Sequence, residues 1–274
     1  MTGELRVGIY PGVSHDEYHA MTEYINNSYL SRLAKIPALT RLPQEETAAM
    51  TFGRAFHCSL LEGQAAFDLS FSVMPKEINL RTKDGKAYRD AVVSSKKVPL
   101  SYDDFQTIEG MTQAVLRHPF AIQLLAEGDS EMSVFWRDKE TGLPCKCRPD
   151  RIPSGQKGVV VDAKSTGDAS EAGFTRSVFK FGYARQAAMN IDGLNTVSSK
   201  EIDAFICIAA EKEPPYRCEV YVLDDEVLAF GRQEYHRLLR IEKECREKNL
   251  WPHYWNAGAS TVYLPKWAYT YSEG

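Results

Sequence analysis

The amino-acid sequence predicts a mixed α/β domain in which helices flank a central mixed β-sheet. Helix signals dominate the chain up to residue 127, strand signals dominate residues 128–223, and a capped helix follows to about Lys248. With 274 residues, 43% of them hydrophobic, the chain can bury a substantial core. We therefore predict a single domain that has a mainly helical part (1–127), a sheet-containing core (128–223) and a C-terminal helix with an aromatic tail (224–274).

The helices are predicted from the residues that cap them and from those that end them. Short polar side chains accept hydrogen bonds from the first free N–H groups of a helix, whereas Pro and Gly stop it. The predicted helices are Asp16–Met21 capped by Ser14, Tyr29–Ile36 capped by Ser28, Glu46–Glu62 ended by Gly63, a helix from Ser101 interrupted at Pro119 and ending near Ala126, two helices at about 168–180 and 182–194, and a last one capped by Asp224.

The strands are predicted from apolar and β-branched runs that are separated by turn signals such as Thr141-Gly142 and Ser154-Gly155. The predicted strands are Met132–Trp136, Pro144–Ile152, Gly158–Lys164, Ile202–Ala209 and Tyr216–Leu223. Because strands and helices follow one another in blocks, the pattern favours helices packed on one central sheet.

The segment with the clearest chemistry is a predicted hairpin that carries Asp150, Asp162 and Lys164. Side chains alternate along a strand, so Asp162 and Lys164 share one face, and pairing of the two strands lets Asp150 approach Asp162. Two neighbouring carboxylates are costly unless a cation joins them, and oxygen ligands suit Mg²⁺ or Mn²⁺. A surface hairpin with an ordinary salt bridge explains the same spacing equally well. A second Asp-x-Lys, Asp84-Gly85-Lys86, lacks an apolar strand and is predicted to be a solvated turn.

Other polar residues are candidates for the same site, each with a structural alternative. Glu131 opens the preceding strand and can reach the same end of the sheet, or it is a solvated strand-end residue. His57 lies within an apolar helix, where a core histidine is by itself a better explanation than a ligand. Tyr183 and Gln186 share a helix face and can position a phosphate or a water, or they pack at a polar edge.

Composition excludes several classes of protein. The net charge of −4 argues against a protein that simply coats nucleic acid, although it leaves room for an enzyme that concentrates its basic residues locally. No stretch approaches the ~20 apolar residues of a membrane-spanning helix, and the N-terminus does not resemble a signal peptide. The six cysteines lack the C-x-x-C spacing of a metal or redox site. We expect a cytoplasmic protein with reduced thiols and no contact with a membrane.

Taken together, these motifs closely resemble the PD-(D/E)xK nuclease superfamily, in its RecB-like branch, and within that branch the RecE-type exonucleases. The resemblance extends over nearly the whole chain. The segments that carry it are Gly8-Ile9-Tyr10, Asp16-Glu17-Tyr18-His19, Gly53-x-Ala55-Phe56-His57-Cys58, Cys145-x-Cys147-Arg148-Pro149-Asp150, Asp162-x-Lys164-x-Thr166, Tyr183-x-x-Gln186, Gln233-Glu234-Tyr235-His236-Arg237 and Leu264-Pro265-x-Trp267-Ala268.

The resemblance implies a restriction-endonuclease-like core and an ATP-independent, Mg²⁺-dependent exonuclease. Such an enzyme digests one strand of linear double-stranded DNA in the 5′→3′ direction. It leaves a 3′ overhang for a RecT-like single-strand annealing recombinase, commonly in phage or prophage recombination. It also implies a homo-oligomeric ring, a trimer or tetramer, through which DNA threads. The alternatives are a PD-(D/E)xK endonuclease, a nuclease of the CRISPR-adaptation kind, and an inactive DNA-binding module.

The resemblance also assigns roles to individual residues. Asp150, Asp162 and the main-chain carbonyl of Ala163 would hold a metal ion, and Glu131 with His57 would complete a site for two ions. Lys164 would be the catalytic lysine, and Gln186 would orient the lysine, the water or the phosphate. Some relatives hold an iron–sulfur cluster, but the cysteine spacing predicts none here. The predicted DNA-binding residues, each of which is otherwise an ordinary surface group, are Ser28, Ser31, Arg32, Arg54, Arg148 and Tyr183.

Overall fold

The fold was analysed in a computed structural model that describes residues 5–78, 82–199, 201–255 and 258–264. The helices are α1 (His15–Ala20), α2 (Asn27–Lys35), α3 (Ala48–His57), α4 (Gln64–Ser70), α5 (Lys83–Ser94), α6 (Tyr102–Arg117), α7 (Pro119–Ala126), α8 (Glu171–Lys180), α9 (Tyr183–Val197) and α10 (Asp225–Lys248). The strands are β1 (Gly8–Tyr10), β2 (Phe71–Val73), β3 (Val98–Leu100), β4 (Gly128–Ser130), β5 (Ser133–Arg137), β6 (Pro144–Cys147), β7 (Arg151–Pro153), β8 (Val159–Thr166), β9 (Ala204–Glu211) and β10 (Cys218–Leu223).

The central sheet has five strands in the order β10-β9-β8-β7-β4. Strands β8 and β9 are parallel, from the pair Val159↔Ala204 to the pair Thr166↔Glu211, and the other neighbours are antiparallel. The β-branched run Val159–Val161 explains why β8 is the buried central strand. Helices pack on both faces of this mixed sheet, which confirms the predicted fold class.

Each face of the sheet has its own apolar core because side chains alternate along the strands. On one face Val160 and Phe205 pack with residues of α2, α9 and α10. On the other face Val161 and Ile206 pack with residues of α3, α6 and α7. Asp162 and Lys164 therefore face α9, whereas Ala163 between them faces α3.

The chain passes twice between the central sheet and a smaller one that has the strand order β1-β5-β6. It leaves β4 at Ser130 and enters β5 at Ser133, and it leaves β6 at Cys147 and enters β7 at Arg151. The N–H of Glu131 donates to the carbonyl of Asp150 at 3.2 Å, so the two passages are bonded to each other. The predicted strand over Pro144–Ile152 was wrong in this respect, because two separate strands of different sheets occupy it.

Most predicted helix ends are confirmed, and three details are corrected. Ser14, Ser101 and Asp224 cap α1, α6 and α10 as predicted, and Gly63 ends the helical run. In α2 the cap is Asn26, two residues before Ser28, because its Oδ1 accepts the Tyr29 N–H at 2.8 Å. The long helix predicted for 46–62 is α3 followed by a π-helical turn at Cys58–Glu62. The segment 84–86 is not a turn but lies in the first turns of α5.

Two further features concern the chain outside the sheets. Trp251 donates from its indole to Glu242 at 3.1 Å, and Trp255 donates to the carbonyl of Lys35 at 2.9 Å, so the start of the aromatic tail packs back on the domain. Tyr263 is described and is exposed, whereas residues 265–274, including Trp267, lie outside the described residues. Across the described part of the chain, no helix combines the length and the apolar character that crossing a membrane requires.

Candidate active site

The antiparallel pairing of β7 with β8 brings Asp150 next to Asp162, as the predicted hairpin requires. Arg151 pairs with Val161, which places Asp150 just before one strand and Asp162 within the other. The Asp150 Oδ2 accepts the Ala163 N–H at 2.7 Å. Asp150 is 6% exposed and Asp162 is fully buried. The two carboxylates are thus fixed side by side in the interior, and the salt bridge between exposed groups that was the alternative does not describe them.

Lys164 lies in a network that fixes its ammonium group. It forms an ion pair with Asp162 Oδ2 and donates to Gln186 Oε1 at 3.0 Å. The Gln186 amide in turn donates from Nε2 to Asp162 Oδ1 at 2.6 Å. The ammonium also lies over the Tyr183 ring, 4.6 Å from its centre. Gln186 and Tyr183, one helical turn apart at the start of α9, therefore hold the lysine from one side.

A second cluster consists of His57, Glu131 and Asp150, whose potential ligand atoms all lie within 4.8 Å of one another. His57 ends α3, and its Nε2 lies 2.8 Å from the carbonyl oxygen of Ala163. Because a carbonyl can only accept, Nε2 carries the hydrogen, and Nδ1 faces Asp150 Oδ1 at 3.6 Å. A neutral histidine in this tautomer directs the lone pair of Nδ1 toward the two carboxylates.

Glu131 reaches this cluster because of its backbone conformation. It has a φ of +52°, which is uncommon for a residue with a side chain. The residue lies between β4 and β5, where the chain changes sheets. The positive φ turns the chain at this point and brings the carboxylate alongside Asp150 instead of into solvent.

The electrostatics of the cluster favour a bound cation. Burial and the neighbouring Asp150 raise the pKa of Glu131 to about 7, and burial and the neighbouring Asp162 raise the pKa of Asp150 to about 6. Burial opposes protonation of His57, but Asp150, Glu131 and Asp162 outweigh it and raise the pKa of the imidazole. Carboxylates that resist ionisation next to one another are relieved when a cation replaces their protons.

The residues present fit a divalent cation. His57, Glu131 and Asp150 offer one imidazole nitrogen and two carboxylates at distances that one ion can bridge. Asp162 lies outside this set, because its two oxygens contact Lys164 and Gln186. The carbonyl of Ala163 accepts from His57, which leaves one lone pair for a ligand. The resemblance assigned the first ion to Asp150, Asp162 and Ala163, whereas the three candidate ligand atoms that lie together belong to Asp150, His57 and Glu131.

Burial acts on the pKa of Lys164 in the opposite direction from its effect on the pKa of the neighbouring carboxylates. Burial lowers the pKa of an ammonium group, but Asp162 and Asp150 outweigh burial, so the pKa of Lys164 is raised. The charged form of the lysine is therefore favoured, and a charged ammonium can donate hydrogen bonds and neutralise negative charge.

The predicted DNA-binding residues fall into two groups. Ser28 is exposed on α2, and Tyr183 contacts Lys164. The other four side chains bond within the protein: Ser31 accepts from Arg185, Arg32 donates to the carbonyls of Leu39 and Leu42, Arg54 pairs with Glu46 at 3.0 Å, and Arg148 donates to Ser133 Oγ and to the carbonyl of Val13.

Arg185 supports the site and was not identified from the sequence. It is 3% exposed and donates to Asn27 Oδ1 at 2.8 Å, Ser31 Oγ at 2.5 Å and Glu234 Oε1 at 2.9 Å. These bonds tie the start of α9 to α2 and α10. The available signal was an arginine between the two polar residues of Tyr183-x-x-Gln186, but its burial depends on helices distant in sequence.

The sheet, the paired carboxylates and the adjacent lysine are those of the PD-(D/E)xK nuclease fold. The chain belongs to the family described as a PDDEXK-like domain of unknown function (DUF3799), whose model matches residues 20–261. This match confirms the superfamily that the motifs indicated.

One solved structure shows the same fold. The chain is similar to a provisionally named exonuclease from Eubacterium rectale, with a TM-score of 0.62 and 15% identity over 97% of this chain and 98% of that one. A weaker similarity, with a TM-score of 0.33 and 10% identity over 86% of this chain and 97% of the other, relates it to an alkaline exonuclease from Laribacter hongkongensis. No curated protein matched the sequence.

Proposed function

We propose that the protein is a divalent-metal-dependent exonuclease that digests one strand of linear double-stranded DNA in the 5′→3′ direction. The observation that carries the proposal is the convergence of Asp150, Asp162 and Lys164 with Glu131 and His57 at one point of the sheet. Direction, duplex specificity and the 3′ overhang follow from the resemblance to RecE-type exonucleases. Mg²⁺ is the proposed ion, with Mn²⁺ as the alternative, because carboxylate and carbonyl oxygens dominate the proposed ligands.

The residues divide the work of phosphodiester hydrolysis. His57, Glu131 and Asp150 would hold one ion. Asp162 and the Ala163 carbonyl would hold a second ion, for which Asp162 would give up one of its contacts with Lys164 or Gln186. A bound divalent ion supplies charge neutralisation at the phosphate and a water of lowered pKa. Lys164 donates to a phosphate oxygen and stabilises the charge that develops there. Gln186 fixes the ammonium, so the donor is oriented before substrate arrives.

The deciding experiment is digestion of linear duplex DNA that carries different labels on its two strands and its two ends. We expect Mg²⁺-dependent release of nucleotides from 5′ ends only, with the complementary strand left intact and no requirement for ATP. Release from 3′ ends would contradict the direction. Cleavage of covalently closed circles would favour the endonuclease alternative, and binding without any release of nucleotides would favour the inactive module.

The proposed partners extend beyond the substrate. A closed ring of three or four copies would let DNA thread through the particle, and a RecT-like single-strand annealing recombinase would receive the overhang. The recombinase is tested by adding it to a stalled digestion reaction and measuring how much of it binds to the newly exposed 3′ strand. Recovery of the strand as free DNA in the presence of the recombinase would contradict this partnership.

A further inference from the structure

An exposed aromatic side chain lies beside the candidate active site and takes no part in the proposed chemistry. Phe181 connects α8 with α9 and is 52% exposed. Its ring centre lies 5.8 Å from that of Tyr183, whose own ring lies under Lys164. A path of ring contacts therefore leads from the lysine to the protein surface. Large apolar side chains in such positions indicate a binding surface when they border a site.

The corner that carries Phe181 is held rigidly. Gly182 has a φ of +71°, and a Cβ there would lie 2.5 Å from a guanidinium nitrogen of Arg185. That guanidinium is in turn bonded to α2 and α10. Tyr183 is backed by the buried Phe174, with ring centres 6.2 Å apart. Phe181 is thus an exposed ring on a fixed support, which is the form that a stacking surface needs.

The chemistry around Phe181 matches one class of ligand. Lys180 is exposed, and its ammonium lies 5.3 Å from the centre of the Phe181 ring. A flat apolar ring next to a cation offers stacking for a nucleobase and an ion pair for the neighbouring phosphate. Aromatic rings of this kind bind unpaired bases of any sequence, because every base has a flat face.

We propose that Phe181, with Lys180, is a stacking subsite for an unpaired nucleobase next to the scissile phosphate. The subsite holds the strand that enters the site once it has left the duplex. This inference rests on the proposed function, because it assumes a nucleic-acid substrate. It adds a residue that positions the strand, and it predicts that single-stranded DNA binds at this corner without sequence preference.

The test is binding of fluorescently labelled single-stranded oligonucleotides, measured by anisotropy with Ca²⁺ in place of Mg²⁺. Phe181→Ala is expected to weaken binding roughly 5- to 140-fold, the range that corresponds to the loss of one stacked base. Phe181→Trp is expected to bind as the wild type does. An abasic site moved along the oligonucleotide should weaken wild-type binding at one position, and at that position Phe181→Ala should be insensitive.

Phe179 provides a matched control, since it is 48% exposed and lies two residues away, but its ring contacts Phe230 at 5.5 Å instead of Tyr183. Phe179→Ala is expected to leave binding unchanged. If both variants weaken binding equally and both change the particle mass, the surface is a contact between copies of the chain and the subsite is refuted.

The remaining outcomes separate the two proposals. A wild-type protein that digests DNA while Phe181→Ala binds and digests equally well would overturn the subsite and leave the nuclease standing. A wild-type protein that neither binds nor cuts any nucleic acid would overturn both. Equal thermal unfolding temperatures of the variants establish that each retains its fold.

Discussion

Lys164 shows how a buried charge becomes a fixed donor. Its side chain is 13% exposed, and that of the adjacent Asp162 is fully buried. Neither charge is tolerated in this position without the other, since unpaired buried charges are strongly destabilising. Gln186 bonds to both and completes the set of hydrogen bonds. The pair therefore contributes both to the stability of the fold and to the proposed chemistry, and a substitution affects both.

The first prediction concerns this lysine. Lys164→Ala should lower the rate of nucleotide release at least ~100-fold, because the donor to the phosphate is lost. It should also lower the free energy of unfolding by about 3 kcal/mol, because Asp162 is left buried without its cation. Activity is measured on labelled linear duplex, and stability by urea unfolding.

The second Asp-x-Lys of the chain supplies the control for this prediction. Lys86, in Asp84-Gly85-Lys86, is exposed on α5, so Lys86→Ala should change neither quantity. Equal activity of the Lys164→Ala variant and the wild type would contradict the proposal that the protein is a nuclease with this active site.

The second prediction concerns pH and metal ions. The folded, metal-free protein binds protons at Asp150 and Glu131 more readily than the unfolded chain, since their pKa values are raised to about 6 and about 7. Stability is consequently lost as the pH rises through these values. The raised pKa of His57 acts in the same direction, because its protonated form is favoured in the folded state.

Thermal unfolding measures this effect. Without metal, the unfolding temperature should fall between about pH 5 and about pH 8. Mg²⁺ or Mn²⁺ should raise it more at the upper end of this range, because the ion competes with protons for the same atoms. Glu131→Gln, which removes one titrating ligand, should reduce both the pH dependence and the response to the ion. A metal response that is independent of pH would contradict a site built from these three residues.

At the scale of elements, the site depends on how closely α9 packs on its neighbours. Gly231 of α10 lies against the start of α9, and a Cβ there would lie 2.0 Å from the carbonyl oxygen of Ala184. Arg185 follows Ala184 and binds Glu234 of α10. The spacing of Tyr183 and Gln186 therefore places both side chains against Lys164 only because α10 holds α9 in position next to β8.

The third prediction tests this packing. Gly231→Ala should lower the free energy of unfolding by about 1–3 kcal/mol, because the two helices must separate to admit the methyl group. The rate of nucleotide release should fall as well, since Gln186 moves with α9. Both effects are measured under the conditions used for Lys164→Ala.

Gly53 in α3 is the matched control, because a Cβ there would meet nothing within 4 Å. Gly53→Ala should be neutral or should stabilise the protein by up to about 1 kcal/mol, which is the difference in helix propensity between the residues. Similar losses of stability in both variants would mean that the close packing of the helices at Gly231 is not the cause of the loss.

At the scale of the whole molecule, the site forms where two sheets meet. The bond between the Glu131 N–H and the Asp150 carbonyl joins the two places where the chain changes sheets. The third member of the cluster, His57, arrives from the opposite side on α3. A site of this kind is complete only when both sheets and the helical layer are folded.

The fourth prediction concerns assembly. If DNA threads through a closed ring, purified protein should have a mass of three or four times the 30.9 kDa of the chain. Light scattering coupled to size-exclusion chromatography measures this mass, and it should not change on dilution through the concentrations used for digestion. A monomer that still digests long duplexes without dissociating would contradict the ring while leaving the chemistry intact.

The sequence by itself determined the elements and one side of the site. Capping residues and apolar periodicity are local signals, so most of the longer helices and the strands after residue 131 followed from them, and strand alternation placed Asp162 and Lys164 on one face. The short strands β1–β4 and the helices α4 and α5 were not predicted. The one predicted cap that was wrong, Ser28 in place of Asn26, lay where two suitable capping residues are found within a few positions.

Only the tertiary structure decided which residues meet. The contact of His57 with the Ala163 carbonyl joins positions 106 residues apart, and the bonds from Arg185 join α2, α9 and α10. Contacts of this kind depend on the packing of whole layers, which leaves no periodic trace in the sequence. The division of Pro144–Ile152 between two sheets is likewise decided by the tertiary structure, because its first half pairs with β5 in the smaller sheet and its second half pairs with β4 and β8 in the central sheet.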